Sequence, residues 1–180
     1  LLRAEDTLTV PVTVRPVTDM PAVTGSSTVD EDTSVTFGAN ILISQNDKTD
    51  GSEAITQIVV GGLPVGALVS YTPVGGGSLV SYTVAAGTTS VTLTGGTEDE
   101  IRAALATLTL TPPLHSDVNI PLSVAITKVD QTTSEGEAAA TTTQTYAHTI
   151  AVAAVADGPT LSGSASGDED QPIALPLTVS

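Results

Sequence analysis

The chain has 180 residues and no cysteine, and its formal net charge is −15 because 20 acidic residues face only five lysines and arginines. Nucleic acids and anionic membrane surfaces both bind proteins through basic residues, so this charge argues against either partner. A cation is the partner that the acidity favours, with solubility alone as the simpler explanation. No stretch approaches the roughly 20 apolar residues that a membrane-spanning helix needs, so we expect no direct insertion into a membrane.

The predicted elements are mostly strands, since the sequence is rich in Thr and Val and poor in Lys and Glu. The first, at residues 7–17, alternates like a strand, although two prolines confine it to a sheet edge. Three glycines at 75–77 mark a hairpin between two later strands. In chain order, these later strands are predicted at 34–43, 55–63, 67–74, 78–86, 90–95, 108–112, 118–129 and 141–155.

A single helix is predicted to interrupt the strands at residues 97–108. Thr97 can cap its first turn, and Ile101, Leu105 and Leu108 recur at helical spacing. Seven or eight short strands with one short helix predict an all-β protein, a β-sandwich of immunoglobulin-like architecture. Because aromatic residues are few, we expect its core to consist of Val, Leu, Ile and Ala.

One segment of the chain occurs twice. Residues 17–32 read VTDMPAVTGSSTVDED, and residues 155–170 read VADGPTLSGSASGDED. Such an internal repeat predicts that the chain is cut from a tandem array. The positions that are identical in both copies are Val17/Val155, Asp19/Asp157, Pro21/Pro159, Gly25/Gly163, Ser26/Ser164, Asp30/Asp168, Glu31/Glu169 and Asp32/Asp170.

The repeat predicts three parts of the chain. Residues 1–20 are predicted to be the last strand of a preceding repeat with its linker, and residues 21–157 a complete β-sandwich extender domain. Residues 158–180 are predicted to be the linker and first strand of the next repeat. The two ends lack partners, so we expect them to be mobile or to exchange strands between copies of an otherwise monomeric module.

Acidic residues recur at the same places in both copies. An aspartate, Asp19 or Asp157, lies two positions before a proline, and an Asp-Glu-Asp triplet follows nine residues after that proline. Calcium takes about six to eight oxygen ligands, and this many like charges would repel one another without a cation. The repeat therefore predicts a Ca²⁺ site at the junction between domains, and the alternative is a solvated turn. The residues of the two triplets are Asp30, Glu31, Asp32, Asp168, Glu169 and Asp170.

A second acidic cluster lies in the loop NDKTDGSE at residues 46–53. Lys48 and Gln57 occupy positions where an EF-hand needs ligands, so an Asx-turn loop is the alternative to a calcium site. From the strand order we expect the loop acids at the same pole of the sandwich as the exit linker. The ligands predicted for that pole are Asp47, Asp50, Glu53, Asp117, Asp157, Glu169 and Asp170. Those predicted for the opposite pole are Asp19, Glu31 and Asp32, beside a loop with Asp130, Glu135 and Glu137.

Three blocks of the sequence carry a resemblance to a known family. They are DGSEAITQIVVGGLPVGA at 50–67, TLTPPLHSDVNIPLSVAITKVD at 109–130 and the junction at 155–170. In this order they resemble the tandem cadherin-like repeats of giant RTX adhesins, which bacteria secrete through type I systems. The resemblance implies an extracellular, surface-displayed extender module that serves cell adhesion and biofilm formation. It also implies neighbouring repeats of the same chain as partners and calcium at the domain junctions.

The competing prediction is a module that binds a glycan or a protein with the loops at one pole. Sugar-binding faces usually offer exposed aromatic residues, and this chain has only three Tyr and one Phe, which favours the spacer. No nucleophile elbow or spaced triad accompanies His115 and His148, so we expect no enzymatic activity. His148 lies on a predicted strand and is expected to be at the surface or half-buried.

Overall fold

The computed structural model describes residues 8–45, 51–131, 138–156 and 158–179. Strands dominate these ranges, together with one short helix and one 3-10 turn (Gly38–Asn40). The helix is α1 (Glu98–Ala106). The strands are β1 (Ala22–Thr24), β2 (Ser27–Asp30), β3 (Leu42–Ser44), β4 (Glu53–Gly61), β5 (Leu68–Tyr71), β6 (Val80–Thr83), β7 (Ser90–Thr94), β8 (Thr109–Thr111), β9 (Ile120–Asp130), β10 (Ala140–Ala153), β11 (Leu161–Gly163) and β12 (Leu177–Val179).

Two sheets carry most of the fold. The larger has the order β2-β10-β9-β4-β7 and the smaller the order β6-β5-β8, while β1 pairs with β3 and β11 with β12. All strand pairs are antiparallel except β2 and β10, which run parallel. Buried residues of both larger sheets belong to one hydrophobic core, an arrangement consistent with an all-β sandwich.

The core is built from aliphatic side chains, as the composition predicts. Val, Leu and Ile from both sheets pack with Ile101 and Leu105 of the helix, and Phe37 is fully buried among them. Alternation along β9 is regular, with every second residue from Ile120 to Asp130 buried. Such alternation directs one face of the strand into the core.

The predicted helix is confirmed, together with the physical reason for its start. Thr97 accepts a hydrogen bond from the Glu100 N–H, and the Glu100 side chain accepts one from the Thr97 N–H, which completes a capping box. The strands predicted from residue 55 to residue 155 are present as β4 to β10, and the hairpin around 75–77 joins β5 and β6.

The strand predicted at 34–43 is wrong. Val35 forms only an isolated bridge with Leu110, and the 3-10 turn separates it from β3. The turn exists because Gly38 packs against the helix: its N–H donates to the Leu108 carbonyl at 3.1 Å. A Cβ on Gly38 would lie 1.8 Å from the Leu105 carbonyl oxygen, so only glycine permits this approach.

The two copies of the repeated segment form the same turn at the acidic triplet. Asp32 and Asp170 both have left-handed backbones, with φ of 58° and 62°. The Asp30 carbonyl accepts a hydrogen bond from the Thr33 N–H at 3.2 Å, and the Asp168 carbonyl accepts one from the Gln171 N–H at 3.4 Å. In each copy, the residues after the proline form a short strand in an antiparallel pair, β1 with β3 and β11 with β12, although the registers of the two pairs differ.

The N-terminal segment contains no strand in residues 8–21, the part of it that the structure describes. The strand-like pattern of residues 7–17 is therefore not realised here. Within the described ranges, no helix has the length and apolar character needed to traverse a bilayer.

Candidate functional site at the two poles

The N-terminal pole is the end of the domain at which residues 17–21 lead into β1. The strand register brings Glu53, the first residue of β4, opposite Asp130, the last residue of β9, and Asp130 opposite Ala140. Glu53 and Lys128 both continue the core-facing alternation of their strands, toward Ile55 and Ile126 respectively. The alternation of buried residues along the two strands thus places the Glu53 carboxylate and the Lys128 ammonium in the interior at this pole.

Lys128 is the centre of the N-terminal pole. Its side chain is fully buried, and its Nζ donates hydrogen bonds to the Glu53 carboxylate and, at 2.6 Å, to the Asp19 carbonyl oxygen. The Asp19 N–H in turn donates to Glu53 Oε1 at 2.7 Å. A buried charge is tolerated only when it is paired and hydrogen-bonded, and this closed set of contacts meets that requirement.

The C-terminal pole is the end of the domain at which β10 finishes at Ala153. Because β2 runs parallel to β10, with Asp30 opposite Ala153, the acidic triplet emerges at this pole. The Glu31 N–H donates to the Ala153 carbonyl at 2.9 Å, and Glu31 Oε1 accepts a hydrogen bond from the Val155 N–H. The triplet therefore holds the start of the linker that leaves the domain.

The loop before β9 also reaches the C-terminal pole. Asp32 accepts a hydrogen bond from the His115 N–H at 2.8 Å, and its other oxygen lies 3.2 Å from His115 Nδ1. Asn119 Oδ1 accepts a hydrogen bond from the Val152 N–H at 2.9 Å. Asp117, in the same loop, is exposed.

The assignment of acids to poles differs from the expectation. Glu53 lies at the N-terminal pole with Asp19 and Asp130, whereas Glu31 and Asp32 lie at the C-terminal pole. The reason is that the triplet ends β2, which runs alongside the last strand, and does not open a strand at the linker. Glu169 and Asp170 are exposed in the second copy of the turn. Asp47, Asp50, Glu135, Glu137 and Asp157 lie outside the described residues.

The metal-ligating potential of the described residues is partial. In the ranges that the structure describes, no three His, Asp or Glu side chains come together as a metal-binding group. At the C-terminal pole, Glu31 and Asp32 offer carboxylate oxygens, the ligand type that calcium prefers. Each carboxylate has about four lone-pair sites, so the N–H bonds that they accept leave further sites for a cation. Two carboxylates could supply only part of a calcium shell, which takes about six to eight oxygen ligands.

The start of α1 carries a carboxylate with strong hydrogen-bond support. Glu98 accepts from the Ile55 N–H at 3.0 Å, from Gln45 Nε2 at 2.6 Å and from Arg102 Nε at 2.7 Å. Burial alone would raise the pKa of Glu98, but these hydrogen bonds and the Arg102 charge outweigh it and lower the pKa to about 2. The ionised side chain of Glu98 thus links α1 to β4 through hydrogen bonds.

Acid should weaken the domain through Glu98. Since its folded pKa of about 2 lies below the ordinary value of 4.5, its contribution to stability is fully present above pH 4.5 and is lost as the pH falls toward 2. We expect Glu98→Gln to remove this part of the pH dependence in thermal unfolding. Asp99→Asn, which changes an exposed acid in the same turn, should leave it in place; equal acid dependence of wild type and Glu98→Gln would contradict the assignment.

His148 is buried, contrary to the expectation of a surface or half-buried residue. Its Nε2 lies 3.1 Å from Ser27 Oγ, which also accepts a hydrogen bond from the Asn40 amide at 3.1 Å. Burial lowers the pKa of His148, and a hydrogen bond with the Gly25 backbone partly offsets this effect. The neutral ring packs near Phe37, with ring centroids 6.3 Å apart. These contacts give His148 a place in the core.

Lys128 is the residue of the poles that the sequence prediction omitted. Its signal was nevertheless present, because Lys128 stands in phase with Ile120, Leu122, Val124 and Ile126 along β9. A lysine at a core-facing position of an alternating strand requires a buried acidic partner. That partner is Glu53.

Comparison of the chain with protein-family models, with curated proteins and with solved structures gives no match. The grounds for a function are therefore internal to the molecule. They are the repeated segment, the turn and strand pair that both copies form, and the contacts that each pole makes with its linker.

Proposed function

We propose that this chain is part of a tandem array of extender modules in a bacterial cell-surface adhesin of the RTX type. The array would space a terminal binding region away from the cell for adhesion and biofilm formation. One observation carries the proposal: just beyond β10, the sequence of residues 17–32 begins again, forms the same turn at the acidic triplet and contributes its first strand to another antiparallel pair. A second unit that starts where the first ends is the arrangement expected of a linear repeat protein.

The proposed architecture is immunoglobulin-like, with cadherin-like repeats as the nearest comparison. The larger sheet places β4, β9 and β10 side by side, as strands C, F and G lie in immunoglobulin domains. The smaller sheet would be the opposing layer of the sandwich, extended by the bridge between Val35 and Leu110. Such domains have their first and last residues at opposite poles, which suits head-to-tail stacking.

We assign calcium to the junction at the C-terminal pole. Glu31, Asp32 and Asp117 are the candidates from the body of the domain, and Asp157 is the candidate from the linker. Bound calcium would neutralise the repulsion among these carboxylates and restrict the linker. By the repeat, Glu169 and Asp170 would serve the following junction in the same way, and Asp19 would correspond to Asp157 at the preceding one.

Replacing Asp157 with alanine should weaken calcium binding roughly tenfold or more, because a carboxylate ligand at the junction is lost. Glu135→Ala, which removes an equal charge at a position between β9 and β10 in the sequence, should leave the affinity close to that of wild type. Calorimetric titration measures both variants, and extracellular modules of this kind bind with dissociation constants of about 10⁻⁴–10⁻³ M. Equal affinities of the two variants would mean that the repeated acids are solvated turns.

The ligand-binding alternative has less support. Phe37 is fully buried, and Tyr71, Tyr82 and Tyr146 are partly buried against the core, so the described ranges offer no exposed aromatic platform. A strong and specific hit on a glycan array would reverse this ranking.

A further inference from the structure

The linker that enters the domain is bound along its length. Its contacts run from Val17 to Pro21 and involve β4, β9 and β10; all except the side-chain contact of Thr18 are made by the linker backbone. The Val17 N–H donates to Asp130 Oδ2 at 2.9 Å, the Thr18 and Thr142 hydroxyls are hydrogen-bonded, and the Tyr146 hydroxyl donates to the Pro21 carbonyl. Between these contacts, Asp19 is held through both its N–H and its carbonyl by Glu53 and Lys128.

These contacts form a surface that recognises backbone. The side chains of Glu53, Lys128 and Asp130 contact the amide and carbonyl groups of the linker, and Asp19 itself is exposed. Lys128 pairs its charge with the Glu53 carboxylate, whereas Asp130 accepts the Val17 N–H. No second cation is needed to balance Glu53 at this pole, because the fully buried ammonium already contacts its carboxylate.

The other side of the junction is held differently. Where the linker leaves the domain, the Val155 N–H contacts the carboxylate of Glu31, and residues 154–156 are exposed. The C-terminal pole has carboxylates, with His115 as the neighbouring base, and within the described residues no lysine contacts them. This domain therefore has one pole with a buried ammonium and one pole with carboxylates.

We propose that the N-terminal pole is a metal-independent clamp for the linker of the preceding repeat, so that calcium acts only on the opposite side of each junction. The inference rests on the proposed tandem array and identifies the occupant of this surface as the linker pattern Val-x-Asp-x-Pro. Residues 17–21 are the occupant that the structure shows. Val155, Asp157 and Pro159 repeat the pattern, so the next repeat would receive them in the same way.

Hydrogen exchange at single amides of the 180-residue chain tests the clamp. In wild type, the Val17 and Asp19 amides should be protected equally in calcium and in chelator. Lys128→Met should accelerate exchange at Asp19 by roughly 10- to 100-fold, because a hydrogen-bond network around a charged group is lost. Arg102→Met is the matched control: it makes the same change of net charge at a residue that binds Glu98 and the Ile43 carbonyl, away from the linker.

Two results would overturn the clamp. One is fast exchange of the Asp19 amide in wild type without calcium, and the other is an equal exchange rate of this amide in the Lys128→Met and Arg102→Met variants. If Lys128→Met also accelerates exchange of the core amides of Val60 and Ile126, the domain has unfolded. The Asp130→Ala variant then tests the clamp in its place. That variant should accelerate exchange at Val17 alone, and an unchanged rate there would overturn the proposal. Exchange is measured in chelator, so its result is independent of the calcium affinities that test the proposed function.

Discussion

Replacing Phe37 with alanine should lower the free energy of unfolding by about 3–5 kcal/mol, as is typical when a large core side chain is removed. Phe37 is the only phenylalanine of the chain and is fully buried. The chain next to it cannot move inward to fill the cavity, since Gly38 already packs against the backbone of Leu105. Urea denaturation of the variant and of wild type gives the difference.

The matched control for this prediction is Phe37→Leu. Leucine keeps part of the apolar volume and leaves a smaller cavity, so this variant should lose clearly less stability than Phe37→Ala. A loss below about 1 kcal/mol for Phe37→Ala would contradict the position of this ring at the centre of the core.

Replacing Gly25 with alanine should also destabilise the domain strongly, by roughly 3 kcal/mol or more, because backbone strain and a steric clash act together. Gly25 lies between β1 and β2 with φ of +115°, a conformation that residues with a side chain rarely adopt. A Cβ there would lie 1.8 Å from the Asn40 carbonyl oxygen. The residue must therefore move away from the chain that leads into β3, and the β1–β3 pair is lost first.

Gly87→Ala separates the two causes. Gly87 has a comparable φ of +90°, but a Cβ there would meet no atom within 4 Å. Its replacement should cost only the backbone strain, roughly 1–2 kcal/mol. Equal midpoints of thermal unfolding for the two alanine variants would show that the approach of Gly25 to Asn40 is unimportant.

A close approach of backbones accounts for one identity between the repeated segments, although Gly163 lacks the positive φ of Gly25. Gly163 corresponds to Gly25, and a Cβ on Gly163 would lie 2.5 Å from the Pro176 carbonyl oxygen. In both copies the glycine lets the first strand pass close to the backbone that leads to its partner. Part of the repeated sequence is thus accounted for by strand pairing alone, without reference to a metal.

Local sequence signals predicted the second half of the domain well. The alternation of residues 118–129 and the capping residues of α1 depend on neighbours along the chain, and both appear as β9 and the capped helix. Residues 34–43 misled the prediction because Val35, Phe37 and Ile41 alternate like a strand. The close packing of Gly38 against α1 is a tertiary effect that no local pattern reveals.

The distribution of acids between the poles could not be read from strand order. It depends on the parallel pairing of β2 with β10, two short stretches separated by more than a hundred residues. The expectation that Glu31 lies at the same pole as Asp19 followed from the position of the triplet just before the strand predicted at 34–43. Because the triplet lies at the end of β2 and β2 runs parallel to β10, the triplet lies beside Ala153 at the end of β10.

The parallel pairing of β2 and β10 also determines how the domain would bear force. A pull on the two ends of an extender draws the start of β2 toward one pole and the end of β10 toward the other. The paired residues, from Ser27–Ile150 to Asp30–Ala153, then slide along each other, and the hydrogen bonds between them are strained simultaneously. Antiparallel neighbours pulled apart from one end would instead open bond by bond. In the proposed array, tension would therefore load this pair in shear, so that the hydrogen bonds of this short row would have to break together.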